Sequence, residues 1–177
     1  SKLAALRTLS LDHTEIKDSG LGFVQGMPHL SDLDLSNTAI TDEGLLLLRG
    51  HPGLESLDLA TTRVTSAGLT ALETLSALHA LILSDTDVTD DGLAAVARMT
   101  GLQSLDLRDT AVSDEGVGHL GSLSSLRNLS LANTYVGDAS AAVFSRMTSL
   151  HELGLANCEL TDVGFLSLAT LPHLASL

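Results

Sequence analysis

The sequence predicts an α/β solenoid, a right-handed, curved coil with a parallel sheet on its concave face and short helices on its convex face. Three observations predict it. An apolar skeleton returns every 24 residues along the whole chain, and within each unit the apolar spacing switches from two residues to three. Aromatic residues make up only 2% of the chain, with no Trp and a single Tyr, so Leu must carry the core. A unit this small cannot bury its own apolar face and has to stack on copies of itself.

The repeat is read first. Leu6, Leu30, Leu54, Leu78, Leu102, Leu126, Leu150 and Leu174 stand 24 residues apart, which defines seven full repeats, 6–29, 30–53, 54–77, 78–101, 102–125, 126–149 and 150–173, and a truncated eighth in a single domain, 1–177. Each unit opens Leu-x-x-Leu-x-Leu, as in Leu54-Glu-Ser-Leu-Asp-Leu59, and its last three residues alternate in and out as a short strand does. The second half reads Thr-x-Ile/Val-Thr/Ser-Asp-x-Gly-Leu-x-x-Leu, as in Thr38 to Leu48. A Thr-Asp pair ahead of Leu45 and Leu48, or of Leu93 and Val96, predicts an N-capped short helix with one face turned inward in every repeat.

These residues resemble the leucine-rich repeat family, and the resemblance runs from Leu6 to Leu177. The Thr-x-Ile-Thr-Asp-x-Gly-Leu half is similar to the subclass found in repeat regions of F-box proteins and of bacterial, effector-like proteins, although Thr14, Thr38, Thr62, Thr86, Thr110 and Thr134 stand where that subclass often has Cys or Asn, and only Cys158 keeps the pattern. The resemblance implies a protein–protein interaction module and not an enzyme. The alternative it implies is the target-recognition part of a larger protein, such as an F-box-type ubiquitin ligase component or a secreted bacterial effector.

Composition narrows the partner. The net charge of −13, from 22 acidic against 9 basic residues, disfavours nucleic acid and anionic membrane surfaces, both of which require clustered Lys and Arg. One cysteine, Cys158, forms no intrachain disulfide. The seven histidines assemble no ligand set, His29 and His173 falling in return loops and His51 in a loop expected to fray. No cofactor or metal is expected. There is no membrane-length apolar run, and the first residues lack the apolar region of a signal peptide, so the expectation leans to the cytoplasm or to delivery into a host cytoplasm. The sequon Asn128-Leu129-Ser130 falls in a strand.

Fold and partner are separated by comparing repeats, because residues dictated by the fold recur. Asp18, Asp42, Asp90, Asp114, Asp138 and Asp162 recur at helix starts, with Glu43, Asp91 and Glu115 beside them, and are read as caps that offset the helix dipole. The Thr column turns inward and is expected to bond backbone groups of the next repeat. Gly20, Gly44, Gly68, Gly92, Gly116 and Gly164 serve close packing. Asp34, Asp58 and Asp106 face outward between strand leucines, Asp34 and Asp58 as neighbours, and so suggest a partner with a basic surface. The concave face breaks its small, polar habit at Ile82, Arg108 and Arg127, and Tyr135 and Arg63 share one position just past the strand; Tyr and Arg are residue types that anchor interfaces. Little sequence precedes Leu6 or follows Leu174, so end-to-end self-association through uncovered apolar ends is also expected.

Overall fold

A computed structural model describes residues 3–169, 171 and 174–177, so the loop position expected for His173 lies outside the described residues. Strands β1 (Thr8–Ser10), β2 (Asp32–Asp34), β3 (Ser56–Asp58), β4 (Ala80–Ile82), β5 (Ser104–Asp106), β6 (Asn128–Ser130) and β7 (Glu152–Gly154) form one open, parallel, seven-stranded sheet in chain order. The step is 24 residues at each pairing, from Leu9 opposite Leu33 to Leu129 opposite Leu153. Each strand starts and ends one residue earlier than the Leu-x-Leu alternation predicts, because the last Leu already leads into the turn. That turn places His13, Asn37, Thr61, Asp85, Asp109, Asn133 and Asn157 at φ between 53 and 59°, a column of left-handed residues in which Asn and Asp are at home and β-branched Thr61 is not.

Helix type follows the first two residues of each helical segment. Where Thr or Ser precedes Asp, an α-helix forms: α1 (Asp42–Leu46), α2 (Asp90–Val96), α3 (Asp114–Leu120) and α5 (Asp162–Leu168). In three of them the hydroxyl caps the helix, Thr41, Ser113 and Thr161 accepting from the N–H of Glu43, Glu115 and Val163 at 3.2–3.3 Å. The pair is broken in Lys17-Asp18, Thr65-Ser66 and Gly137-Asp138. Those repeats instead form 3₁₀ turns at Asp18–Gly26, Gly68–Thr74 and Asp138–Ser140, the last leading into α4 (Ala141–Phe144). The expectation of a capped α-helix in every repeat is therefore corrected: the first and third repeats are 3₁₀, the sixth enters α4 through a 3₁₀ turn, and the cap bond alone does not decide the type, since Thr65 accepts from Ala67 N at 3.2 Å in the 3₁₀ third repeat while Thr89 of α2 makes no such bond.

The aspartate column also has a different role from the one expected. Asp18 accepts the backbone N–H and the hydroxyl of Thr41, both at 2.8 Å, in the repeat that follows. Asp42 does the same with Thr65 (2.8 and 2.7 Å), Asp90 with Ser113 (2.7 and 2.6 Å) and Asp138 with Thr161 (2.8 and 2.5 Å). Each carboxylate thus clamps its neighbour. The glycine column makes room for it: a Cβ on Gly44, Gly68, Gly116 or Gly164 would collide with the carboxylate of the preceding repeat. Hydrogen bonds to a charged group contribute about 1.5–3 kcal/mol each, against about 0.2–1 kcal/mol for an exposed ion pair.

Two junctions depart from this scheme. In the sixth repeat Gly137 replaces the hydroxyl residue and Ser140 replaces the glycine. The hydroxyl has moved three residues along and still reaches the same carboxylate: Asp114 Oδ1 accepts from Gly137 N at 2.9 Å, from Ser140 N at 3.1 Å and from the Ser140 hydroxyl. In the third repeat Ser66 replaces the aspartate, and its Oγ accepts from Thr89 N at 2.9 Å and lies 3.0 Å from Thr89 Oγ1.

The core runs unbroken between sheet and helices, with Leu30, Leu54, Leu57, Leu81, Leu102, Leu105 and Leu126 at 0–2% exposure. Ala141 stands where the five preceding repeats carry Leu or Val, and one turn later buried Phe144 stands where they carry Leu or Val. The Thr column bonds its own repeat and not the next: Thr38, Thr62, Thr86, Thr110 and Thr134 donate to the carbonyl three residues back at 2.5–2.7 Å. Cys158 is the member that reaches across, its Sγ lying 3.0 Å from Leu131 O of the preceding repeat. His51, expected in a frayed loop, is 1% exposed. Its Nε2 lies 3.1 Å from Met27 O, and Gly53 N donates to its Nδ1 at 3.4 Å, so a neutral imidazole protonated at Nε2 staples the second repeat to the first.

Candidate binding surface

The sheet presents one outward column of Ser10, Asp34, Asp58, Ile82, Asp106, Ser130 and Gly154. Asp34 and Asp58 are direct register partners, as their spacing predicts. Their surroundings differ. Asp34 accepts from Ser36 N (3.0 Å), Ser36 Oγ (2.6 Å) and Ser10 Oγ (2.9 Å), whereas Asp58 accepts from Ala60 N (2.9 Å) among the described residues. Burial raises the pKa of Asp58, the Ala60 N–H opposes that rise, and the charges of Asp34, Asp106 and Asp12 add to it. Asp58 is thus a half-buried carboxylate with no ion-paired cation among the described residues.

Asp106 is satisfied. Arg108 Nε lies 3.0 and 2.9 Å from its two oxygens and Nη2 lies 2.7 Å from Oδ2, and these bonds raise the arginine pKa. Arg108 is half-exposed, but its charge is already matched. Ile82 divides the concave face: Asp32, Asp34 and Asp58 line the hollow on its N-terminal side, and Asp106, Ser130 and Gly154 line that on its C-terminal side.

Tyr135 lies on the edge where strands pass into the helical half, its backbone bridged to Ser113 and its side chain 62% exposed. It lines a shallow groove with Asp85, Asp87, Asp109 and Asn133. Arg63 occupies the same column three rungs away, roughly 14 Å at ordinary strand spacing, in a separate hollow with Glu15, Lys17 and Asn37. Arg127 precedes β6 whereas Tyr135 follows it beyond the turn at Asn133, so the two mark opposite edges of the sheet. Tyr135 and Arg108 are therefore on the side of Asp109, and Arg127 is not with them. Single-repeat reading missed the acidic wall of the groove, since Asp85 and Asp109 belong to the left-handed turn column and face the edge for that reason.

Among the described residues no three His, Cys, Asp or Glu side chains are grouped to hold a metal, and no helix is long and apolar enough to cross a membrane. A repeating strand–turn–helix unit in one open parallel sheet defines a leucine-rich repeat solenoid. A family model described as Leucine Rich repeat matches residues 26–48, 75–97, 99–121 and 146–169, just over half of the chain, and the chain belongs to that family. The unmatched stretches contain the three broken pairs at Lys17-Asp18, Thr65-Ser66 and Gly137-Asp138. No curated protein matches. Among solved structures, an internalin (inlF) of Listeria monocytogenes superposes with a TM-score of 0.79 at 28% identity over 97% of this chain and 47% of that one. An internalin C2 (inlC2) of the same species gives 0.79 at 26% identity, covering 97% of this chain and 70% of that one. This chain thus spans about half the length of the first. Leucine-rich repeat domains are generally protein-binding modules and typically non-catalytic.

Proposed function

We propose that this domain is a non-catalytic protein-interaction module that seats a partner with a basic surface along the concave face and the edge at Tyr135. The observation that carries the reading is the charge pattern of that surface. Asp34, Asp58, Asp85, Asp87 and Asp109 face it without an ion-paired cation among the described residues, while Arg108 is matched by Asp106. Tyr135 adds an exposed aromatic face to which a partner's Arg or Lys can dock. The test is selection of a displayed random peptide library on the immobilised domain. Lys- and Arg-rich peptides are expected to be enriched, and Tyr135→Ala is expected to weaken their binding by about 1 kcal/mol or more, as loss of an anchor residue does, whereas Arg108→Ala, which frees the Asp106 carboxylate, is expected not to weaken it. Arg98→Ala and Arg146→Ala on the convex side serve as controls. Enrichment of acidic peptides, or a loss confined to the convex pair, overturns the proposal.

A second reading, target recognition on behalf of a larger protein, is favoured by the share of the first internalin that this chain spans. The flanking gene sequence tests it: an F-box, kinase or transferase segment supports it. Val163, Phe165 and Leu166 on α5 are exposed, which favours end-to-end association of the 177-residue chain, and sedimentation at rising concentration tests that.

A further inference from the structure

We infer that the junction between the third and fourth repeats is a salt-sensitive hinge that joins the acidic half of the concave face to the half carrying Tyr135. Three independent observations meet there. Ser66 replaces the clamping aspartate, so a neutral hydroxyl takes the place of a two-oxygen carboxylate bond to Thr89, although Thr89 and Gly92 keep the residues that receive a carboxylate elsewhere. The turn residue of the third repeat is Thr61, a β-branched side chain at φ 53°, and its N–H bonds across this same junction to Ser84 O.

The third observation is where the ion pairs fall. Among the described residues both inter-repeat ion pairs lie at this junction: Arg98 Nη1 with Glu73 Oε2 at 3.3 Å, and His79 Nε2 with Glu55 Oε2 at 3.4 Å when the imidazole is protonated. Arg98, His79 and Glu55 are exposed and Glu73 alone is largely covered, so salt screens these pairs more than the part-buried clamps of the neighbouring junctions. Exposed pairs recover only part of what the missing carboxylate would contribute. The junction is therefore the weakest interior contact and the one most dependent on ionic strength. A flex here moves Asp58 relative to Ile82 and Thr62 relative to Tyr135, both across the surface assigned above, yet the hinge itself does not depend on what that surface binds.

Amide hydrogen exchange by NMR on the full chain tests the inference. Simple fraying from the ends of a repeat array makes protection rise toward the middle. A hinge predicts the reverse locally: the amides of Leu59 and Thr61, which bond to the fourth repeat, exchange at least tenfold faster than those of Leu35 and Asn37 one junction before or Leu83 and Asp85 one junction after. The gap widens between low salt and 1 M NaCl. Ser66→Asp is expected to close it, and Glu73→Gln is expected to remove most of its salt dependence while leaving it open. Equal protection at the three junctions, or a gap unmoved by Ser66→Asp, overturns the hinge.

Discussion

The displaced hydroxyl of the sixth repeat gives a quantitative test of the clamp. Asp114 Oδ1 takes three donors from that repeat, while Oδ2 accepts none among the described residues. Gly137 has extended backbone, φ −128° and ψ −157°, which Thr adopts readily. A Cβ built there would stand 3.4 Å from Asp114 Oδ2 and 3.4 Å from Glu159 O, ordinary contact distances. Gly137→Thr therefore returns the hydroxyl to its usual place and gives Oδ2 a donor. The gain is about 0.4–1 kcal/mol from restricting the unfolded chain, plus about 1 kcal/mol from a bond to a charged group that is partly solvated. Ser140→Ala keeps the buried Cβ and removes one charge-assisted bond, a loss of about 1.5–3 kcal/mol. For a chain of this size about 1 kcal/mol moves Tm by roughly 2–4 °C, so calorimetry should show a rise of roughly 3–8 °C and a fall of roughly 3–12 °C. In the Gly137→Thr background the Ser140→Ala loss should shrink by at least about 0.5 kcal/mol, since the two hydroxyls serve one carboxylate. Strict additivity, or a destabilised Gly137→Thr protein, would refute the reasoning.

Three further outcomes are expected. Leu57→Asp should abolish the folded state, because an unpaired charge at 0% exposure costs several kcal/mol, while Asp34→Leu and Asp58→Leu should fold; circular dichroism melts distinguish them. Thr61→Asn should stabilise by about 1 kcal/mol in chemical denaturation, by relieving a β-branched residue in the left-handed region that Asn tolerates. Asp58 and Asp138 should titrate with opposite signs. Burial raises the pKa of Asp58, so its charge opposes folding above the raised value and the penalty disappears as pH falls through it; Asp58→Asn should raise Tm at pH 7 and less in acid. The Thr161 hydroxyl and N–H lower the pKa of Asp138, so its contribution is present above the ordinary carboxylate range and lost as pH falls through the lowered value, a loss that Asp138→Asn should remove.

The repeat length, the sheet order and the burial of the strand leucines were legible in the sequence because each depends on spacing alone. The partners of polar side chains were not. Asp42 sits in the first turn of α1, where a carboxylate has a sufficient local role, and nothing in its own repeat shows that its oxygens are given to Thr65. The reverse error befell the threonines, assigned across the junction when the nearest acceptor was the carbonyl three residues back. His51 looked like a defect in an apolar column, yet a carbonyl of the preceding repeat lies within reach once the loops stack. For the binding surface, the outward direction of Asp34, Asp58 and Ile82 followed from strand alternation. The separation of Arg127 from Tyr135 did not, because comparison of columns does not record which edge of the sheet a column occupies.

Each repeat can be described as carrying a plug, the aspartate, and a socket, the hydroxyl residue and the small residue behind it. Plug and socket act between neighbours, so the order of units is a grammar in which any plug-bearing repeat can precede any socket-bearing one. The third repeat breaks the grammar only on its forward side: its socket, Thr65 with Gly68, receives Asp42, but its plug is Ser66. Excising residues 54–77 would set Asp42 against Thr89 and Gly92, an intact plug against an intact socket. The protein would then be one repeat shorter, without Asp58 but with a carboxylate at every remaining junction among the described residues, and Asp32 and Asp34 would stand one rung closer to Tyr135.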